Sequence, residues 1–333
     1  MNETGHPAYR VGFFLVPNFP MLAFSAAIEA LRVANWVSGQ SLYEWLLISE
    51  DGKPVSPSSG IAMQPHAAME NVERLPMMLL CAGIGGSKYR NKRVFAWLRK
   101  LARNNTILGG IGTGAYALAR AGLLDGYRCT LHWEEFENFS REFPQLRLTA
   151  DLFEVDRDRL TCPGGTASLD MIFHLIERQH GRDLAWEIAD EFIQHRVRNA
   201  DDPQRMSLQS RTRVNDVRLL AAITAMEKNL EEPLSLGEIC KVSGLSLRHL
   251  QRRFTEVLGR SPTGFYRQLR LQRARKMLMR GSRSVLEVAV ANGFISGAHF
   301  TRCYRAEYGR PPREERSRAP SAPDQREPPA PRG

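Results

Sequence analysis

The chain has few cysteines and no long apolar run, and both shortages limit what it can be. Its five cysteines are scattered over 333 residues and include no CxxC pair. An odd, dispersed set predicts neither a disulfide framework nor a zinc site, so we expect buried free thiols. No apolar run approaches the ~20 residues that span a bilayer, and the N-terminus MNETGHPAYR lacks a signal-peptide pattern. We therefore expect a cytoplasmic protein with no membrane partner and no metal, and no motif indicates a cofactor.

Positive charge is concentrated in one part of the chain. The formal net charge is +10, of which residues 1–206 contribute −2 and residues 207–318 contribute +12. The length is sufficient for two domains, and a strongly basic region beside a nearly neutral one indicates polyanion binding by one half, through release of condensed counterions. A membrane surface could attract the same charge, but it would not explain the repeat within the basic region.

Residues 234–312 contain one pattern twice. The copies are SLGEICKVSGLSLRHLQRRFTEVLGRSP and SVLEVAVANGFISGAHFTRCYRAEYGRPP. In each, a short amphipathic helix stops at a glycine, Gly244 or Gly293, and a serine, Ser246 or Ser296, can cap the helix that follows. One such pattern is common in helical hairpins. Two in register, in the most basic part of the chain, predict a pair of DNA-binding helix-turn-helix motifs.

The second helix of each motif is expected to enter the major groove of double-stranded DNA. Its candidate DNA contacts are the polar residues outside the apolar stripe. They are Arg248, His249, Gln251 and Arg252 in the first motif, and Ser296, Gly297, His299, Thr301, Arg302 and Arg305 in the second. A basic helix predicted over 265–281 adds Arg270 and Arg273. This helix would hold the motifs roughly one DNA turn, about 34 Å, apart.

Short apolar runs alternate with helical periodicity before the repeat. Strands are predicted at 9–17, 44–49, 77–82, 106–111, 128–131 and 152–155. Helices are predicted at 21–36, 92–103, 115–121, 133–142, 167–180 and 184–197. This alternation predicts a doubly wound, flavodoxin-like α/β domain with a mainly parallel sheet, followed by an all-α domain. Ligands of such sheets bind beyond the carboxyl ends of the strands.

Two glycine-rich turns, at 81–86 and 108–126, lie where a ligand is expected. In the second, the strand passes through Gly112, Thr113 and Gly114 directly into a helix. This is the geometry of a nucleophile elbow, with backbone amides converging at the helix N-terminus. The alternative is that these glycines only form tight strand-to-helix turns.

Both halves resemble known families. The segments RARKML (273–278), VAVANGF (288–294) and HFTRCYRAEYGRPP (299–312) are similar to the DNA-binding domain of AraC/XylS-type transcription regulators. The segments AGIGG (82–86), GIGTGAYALARAGLLDG (110–126), TLHW (130–133) and TCPGGTASLDM (161–171), with Glu29, resemble the glutamine-amidotransferase-like, PfpI-like domain of some of these regulators. That subgroup includes regulators of arginine, glycine-betaine and carnitine catabolism. The resemblance implies a homodimeric transcription regulator, expected to activate by engaging RNA polymerase.

One position departs from the hydrolases of this fold. They carry a cysteine at the elbow, because a thiolate there can attack a carbonyl beside a base. Here the elbow residue is Gly112, which has no side chain, so no catalytic residue is assigned and the domain is expected to bind rather than react. The rival interpretation, a thiol-dependent amidase or hydrolase, would need a nucleophile near Gly112.

The expected ligand is a small effector such as an amino acid or a betaine-like zwitterion. Glu29 and Trp133 could receive its cationic pole, Trp133 through cation–π attraction. Amides near Gly85, Gly112 and Thr113 could receive its carboxylate, and His132 matches the second catalytic position of the family. The alternatives are that Trp133 only packs in the core and that Glu29 only caps a helix or forms an ion pair.

The organisation predicted from these features has five parts. Residues 1–9 form an N-terminal arm, 10–198 the effector-sensing and dimerisation domain, 199–216 a polar, proline-interrupted linker, 217–316 the DNA-binding domain, and 317–333 a disordered tail rich in proline, alanine and arginine. An effector can control DNA binding only by binding two states of the protein with different affinity.

Overall fold

The computed structural model describes residues 7–212, 214–280 and 283–318. They form two compact units, which divide between Arg205 and Met206. Most of the N-terminal arm and nearly all of the C-terminal tail predicted from the sequence lie outside the described residues. The first unit is an α/β domain and the second is helical, as predicted.

The first unit is built on a seven-stranded sheet in the order β3-β2-β1-β4-β5-β9-β8. Its pairs are parallel except β8 with β9, which are antiparallel. The strands are β1 Tyr9–Leu15, β2 Tyr43–Ser49, β3 Ala67–Ala68, β4 Met77–Ala82, β5 Ile107–Gly112, β8 Glu154–Asp156 and β9 Arg159–Cys162. A separate two-stranded parallel sheet consists of β6 Arg128–Cys129 and β7 Arg147–Leu148.

The described part of the first unit contains six α-helices. They are α1 Met21–Ser38, α2 Lys92–Arg103, α3 Gly114–Arg120, α4 Phe136–Glu142, α5 Ala167–His180 and α6 Arg182–Glu191. Side chains from α1, α5 and α6 share one hydrophobic core with alternate residues of the strands, and side chains from α2, α3 and α4 share a second. Because alternate residues of a strand point to opposite faces, these are the two faces of the sheet. The doubly wound fold is confirmed.

The structure departs from the predicted elements at short or irregular segments. The helix predicted over 184–197 ends at Glu191, and Ile193 then adopts a φ of +55°, which a β-branched residue rarely does. The strand predicted over 128–131 is only β6, outside the main sheet. Strands β3, β7 and β9 were not predicted, since two to four residues carry little periodicity.

Residues 199–205, here called the strap, were predicted as the start of the linker but pack on the first unit. The Leu152 amide donates to the Ala200 carbonyl at 2.7 Å, and Asp151 forms a β-bridge with Pro203. From Met206 onward the chain belongs to the second unit. The predicted 199–216 linker is therefore divided between the two units.

The second unit has seven α-helices within its described residues. They are α7 Leu208–Thr212, α8 Val217–Lys228, α9 Leu236–Ser243, α10 Leu247–Leu258, α11 Pro262–Arg280, α12 Val285–Ala291 and α13 Gly297–Tyr308, followed by a 3-10 helix at Pro312–Arg318. One core gathers α8, α9, α10 and the start of α11, and another gathers the end of α11 with α12 and α13. Each predicted helix-turn-helix copy thus has its own core, and α11 contributes to both.

Candidate nucleic-acid interface and effector site

Helices α10 and α13, here called the reading helices, begin in the same way. The Ser246 hydroxyl accepts from the His249 amide at 3.4 Å, and the Ser296 hydroxyl accepts from the His299 amide at 3.2 Å. The preceding turns contain Gly244 at φ +66° and Gly293 at φ +71°, a left-handed conformation that glycine adopts without strain. The predicted turns and caps are confirmed in both motifs.

Each reading helix buries an apolar face and exposes a polar one. Leu250 and Phe254 are buried under α10, as are Phe300 and Tyr304 under α13. The candidate contacts that are exposed are Arg248, His249, Gln251 and Arg252 on α10, and Ser296, His299, Arg302 and Arg305 on α13. Gly297 and Thr301 are half-buried. The structure therefore presents the predicted residues of each motif on one exposed surface.

Most of the arginines on this surface form no ion pair with another described residue. Within residues 7–212, 214–280 and 283–318, Arg248, Arg302 and Arg305 form no ion pair, and Arg252 has only a long contact of 3.7 Å with Glu256. A guanidinium without an internal carboxylate can donate bidentately to guanine or to phosphate oxygens. The surface is therefore chemically suited to DNA.

Arg270 and Arg273 are placed differently from the prediction. Arg270 donates to the carbonyls of Asn292, at 2.7 Å, and Gly293, at 2.5 Å, and lies 4.2 Å from the centre of the Phe294 ring. Arg273 donates to the Ala291 carbonyl at 3.0 Å. Burial lowers the pKa of Arg270. Both side chains bind backbone carbonyls at the end of α12 and so help to position the second turn; their contact with DNA stays a prediction.

The two motifs also contact one another directly, which sequence patterns did not indicate. Arg260, after α10, forms an ion pair of 3.2 Å with Glu307 in α13. A Cβ added to Gly293 would lie 2.6 Å from Pro233 Cγ and 2.7 Å from the Glu231 carbonyl oxygen. The second turn therefore packs tightly on the loop before the first motif. The motifs are held by these contacts as well as by α11.

The elbow between β5 and α3 has the predicted backbone but not the predicted free amides. Gly112 is buried with φ +67°. The Thr113 amide donates to the Ala82 carbonyl at 3.0 Å, and its hydroxyl donates to the Gly83 carbonyl at 2.8 Å. The Gly112 amide donates to the Cys162 sulfur. The Gly112 and Thr113 amides, which the sequence assigned to the carboxylate, therefore already have acceptors inside the protein.

The thiols nearest the elbow are poor nucleophiles. Cys81, Cys129 and Cys162 are fully buried. Burial raises the pKa of Cys162 to about 11, against the opposing effect of the Gly164 amide and the Ser168 hydroxyl. Burial likewise raises the pKa of Cys129 to about 12, and it raises the pKa of Cys81 further. A nucleophilic cysteine needs an accessible thiolate, and none of these three positions provides one.

Of two further residues predicted for the effector, Glu29 has a partner on its own helix, and Gly85 lies in the turn whose Gly83 and Gly86 contact Thr113 of the elbow. Glu29 forms an ion pair of 2.7 Å with Arg32 on the outer face of α1, which is the alternative left open by the sequence. Pro20, the N-cap of α1, adjoins Gly112, and Ala23 adjoins Gly164, which in turn lies beside Gly112. Glu29 lies about 9 Å further along the helix than Ala23. Gly85 is exposed in a turn at φ +80°.

His132 and Trp133 do lie together, and the strap holds them. Their rings are 5.5 Å apart, and His132 Nδ1 accepts from the Glu134 amide. The Gln204 side chain accepts from the Trp133 amide at 3.0 Å and donates to the carbonyls of Leu131 and Asp151 at 3.0 and 2.8 Å. The Arg205 guanidinium lies 4.3 Å from the centre of the Trp133 ring. Gln204 and Arg205 were missed because more than seventy residues separate them from this loop.

Neither a metal cluster nor a membrane-crossing helix is found in the described part of the chain. Its His, Cys, Asp and Glu side chains form no group of three or more that could hold a metal ion. No described helix combines the length and apolar character needed to cross a bilayer.

Comparison with known proteins gives matches in both halves. The model of the DJ-1/PfpI family matches residues 10–178, and a helix-turn-helix domain model matches residues 239–318. The HTH-type transcriptional regulator GbdR of Pseudomonas aeruginosa is 42% identical over 310 residues, which cover 93% of this chain and 84% of GbdR. The HTH-type transcriptional regulator CdhR of the same organism is 40% identical and covers 96% of both chains.

Among solved structures, an AraC family transcriptional regulator from Pseudomonas putida is similar to part of the chain. It is 29% identical with a TM-score of 0.51, and the match covers 55% of this chain and 99% of that one.

Proposed function

The chain belongs to the AraC-type helix-turn-helix transcription regulators that carry a DJ-1/PfpI domain, and we propose that it is an effector-controlled activator without catalytic activity. In this proposal the reading helices recognise an operator, and the α/β unit binds a small amino-acid or quaternary-ammonium metabolite. The active species is a homodimer that engages RNA polymerase. The observation that carries the proposal is a set of exposed arginines, Arg248, Arg302 and Arg305, that form no ion pair with another described residue and lie on two equivalently capped helices.

The absence of catalysis is supported by the elbow. A nucleophile at position 112 is ruled out by the glycine, and the three thiols of the first unit are buried with raised pKa values. The competing function, a thiol-dependent hydrolase, would show turnover of simple amides or esters that disappears when one cysteine is replaced.

The proposed effector site is the His132–Trp133 loop. This is a narrower assignment than the sequence suggested, because Glu29 pairs with Arg32 and the amides of Gly112 and Thr113 have internal acceptors. An indole ring beside an imidazole attracts an organic cation. A ligand that binds only the folded state raises its stability by mass action. Thermal unfolding of the full chain with glycine betaine, amino acids and polyamines therefore tests this assignment.

DNA recognition is tested by selecting fragments of the source genome with the purified protein and measuring affinity for the selected fragment. Arg248→Ala and Arg302→Ala should each weaken specific binding by about 1–3 kcal/mol if the arginine contacts a base. A uniform loss on every DNA sequence would instead identify a phosphate contact. Arg218→Ala, an exposed arginine on α8 outside both motifs, is the matched control. Unchanged affinity in both variants would contradict the proposed interface.

A further inference from the structure

The turn of the second helix-turn-helix motif contains one residue more than the turn of the first. Between the turn glycine and the capping serine, the first motif has only Leu245, whereas the second has Phe294 and Ile295. Leu245 and Phe294 are both buried, with 9% and 3% of their surface exposed, and each belongs to the core of its own motif. Phe294 therefore takes the place of Leu245, and Ile295 is the additional residue.

Ile295 is fully exposed and lies immediately before the reading helix α13. The next two residues have no side chain to offer a ligand at this end of the helix. The Ser296 hydroxyl accepts from the His299 amide as the cap, and Gly297, the first residue of α13, has no side chain. Exposed apolar side chains are common on proteins, so the position of Ile295 is what gives it meaning.

The N-terminal end of a recognition helix is the end that contacts bases. In helix-turn-helix proteins bound to DNA, the first residues of the second helix contact base edges in the major groove. The apolar group that the major groove presents is the C5 methyl of thymine, and apolar side chains contact it. Isoleucine suits this contact, because its β-branched side chain has few rotamers to lose when it binds.

We propose that Ile295 is a specificity-determining residue, which contacts the methyl group of a thymine in the half-site bound by α13. This inference rests on the proposed function, because it takes the reading helices as the elements that bind DNA. It adds a preference that the arginines do not supply, since a guanidinium recognises guanine or phosphate and a methyl contact selects thymine. The contact belongs to the second motif, because the turn of the first has no residue at this place.

The test compares thymine with uracil, which differ only in this methyl group. Each thymine of the DNA fragment selected with the purified protein is replaced in turn by deoxyuridine, and affinity is measured for the full chain of wild type and of Ile295→Ala. At one thymine, the replacement should weaken wild-type binding about fourfold, the factor expected when one methyl group leaves an apolar contact. Ile295→Ala should bind the thymine and uracil fragments equally at that position.

Two further variants serve as controls. Ile61→Ala removes an isoleucine of the first unit that is 65% exposed, and it should keep the wild-type response to uracil. Ile295→Val retains a branched apolar side chain and should still distinguish the two bases. Urea denaturation of Ile295→Ala should give wild-type stability, because a fully exposed side chain has no packing to lose.

The possible outcomes separate this inference from the function on which it rests. If wild type selects a fragment but responds to uracil at no position, or if Ile295→Ala keeps the wild-type response, the thymine contact is wrong while DNA binding stands. An equal loss of the response in Ile295→Val and Ile295→Ala would contradict an apolar contact. If wild type prefers no fragment over random duplex, the proposed function and the inference fail together.

Discussion

Gly112 affects the packing of the elbow as well as its chemistry. A Cβ at this position would lie 2.5 Å from the Ala82 carbonyl oxygen, a backbone atom that also accepts from the Thr113 amide. Because the residue has a φ of +67°, any side chain would also be strained by its backbone conformation. Placing a cysteine here therefore requires movement of β4 relative to the end of β5.

We expect Gly112→Cys to destabilise the protein without producing a hydrolase. The free energy of unfolding should fall by about 1–3 kcal/mol, the range typical of local strain, as measured by urea denaturation. Gly126→Cys is the control, since Gly126 has a φ of +77° and no atom within 4 Å of an added Cβ. A larger loss at 112 than at 126 isolates the collision with Ala82. Amide or ester turnover by Gly112→Cys would contradict the expectation.

The arginines of the second unit separate into two classes. Arg270→Ala should lower stability by about 2–3 kcal/mol, because two carbonyls at the end of α12 lose a charged donor. Arg302→Ala, whose guanidinium has no ion pair in the described structure, should leave stability nearly unchanged and weaken DNA binding. Chemical unfolding combined with a DNA-binding titration compares the two. Equal stability of both variants would show that the Arg270 contacts contribute little.

These arginines also show the limit of sequence reasoning at this scale. The register of the repeat identified Arg248 and Arg302 as exposed, because the neighbouring apolar positions determine the buried face. The same periodicity on α11 could not distinguish an arginine facing solvent from Arg270, which reaches the carbonyls of Asn292 and Gly293. A charge pattern records which face is polar, but not what lies opposite it.

At the scale of elements, helices with caps were predictable and short strands were not. Helices α9 and α12 begin with capping boxes, Ser235 with Glu238 and Ser284 with Glu287, and such signals are local in sequence. Strand β9, with four residues, depends on pairing with β5 from a distant part of the chain. The end of α6 was also missed, because nothing local marks the left-handed conformation of Ile193.

The N-cap of helix α8 makes a pH-dependent contribution to the stability of the folded state. The Arg253 guanidinium, which donates to Asp216 Oδ2 at 3.0 Å, lowers the pKa of the N-cap residue Asp216, and the Leu219 amide adds to this effect. A lowered folded-state pKa gives stability that is present above the ordinary value of 3.8 and is lost as pH falls through the folded-state pKa.

Asp216→Asn should therefore be less stable than wild type near neutral pH and should approach it in acid. Asparagine is an equally good cap, so the variant removes the charge and keeps the hydrogen-bond acceptor. Urea denaturation from about pH 7 down to about pH 3 measures the difference. A difference that is constant over this range would show that the charge of Asp216 does not contribute.

At the scale of the whole molecule, the two units have separate cores, so their unfolding need not be coupled. We expect two transitions in differential scanning calorimetry. A bound effector should raise the transition of the α/β unit, and operator DNA should raise the transition of the helical unit, each by mass action. A single transition that both ligands shift equally would show strong coupling between the units.

The uneven distribution of charge predicted this division. Residues 207–318 have a net charge of +12, whereas residues 1–206 have a net charge of −2. The residue at which the two units divide could not be predicted from composition. Composition marked residues 199–216 as a polar linker, yet Gln204 has hydrogen-bond partners that are distant in sequence. Polar residues are as suitable for binding backbone groups as for facing water, so composition alone does not locate a boundary.

The close approach of Gly293 to Pro233 has a consequence for the DNA sites that the proposed function assigns to this protein. The second turn packs against the loop before the first motif, and Arg260 forms an ion pair with Glu307. These contacts fix the spacing of the two reading helices. Under the proposed function, we expect that inserting a single base pair between the two recognised sequences rotates one of them away from its helix and weakens binding.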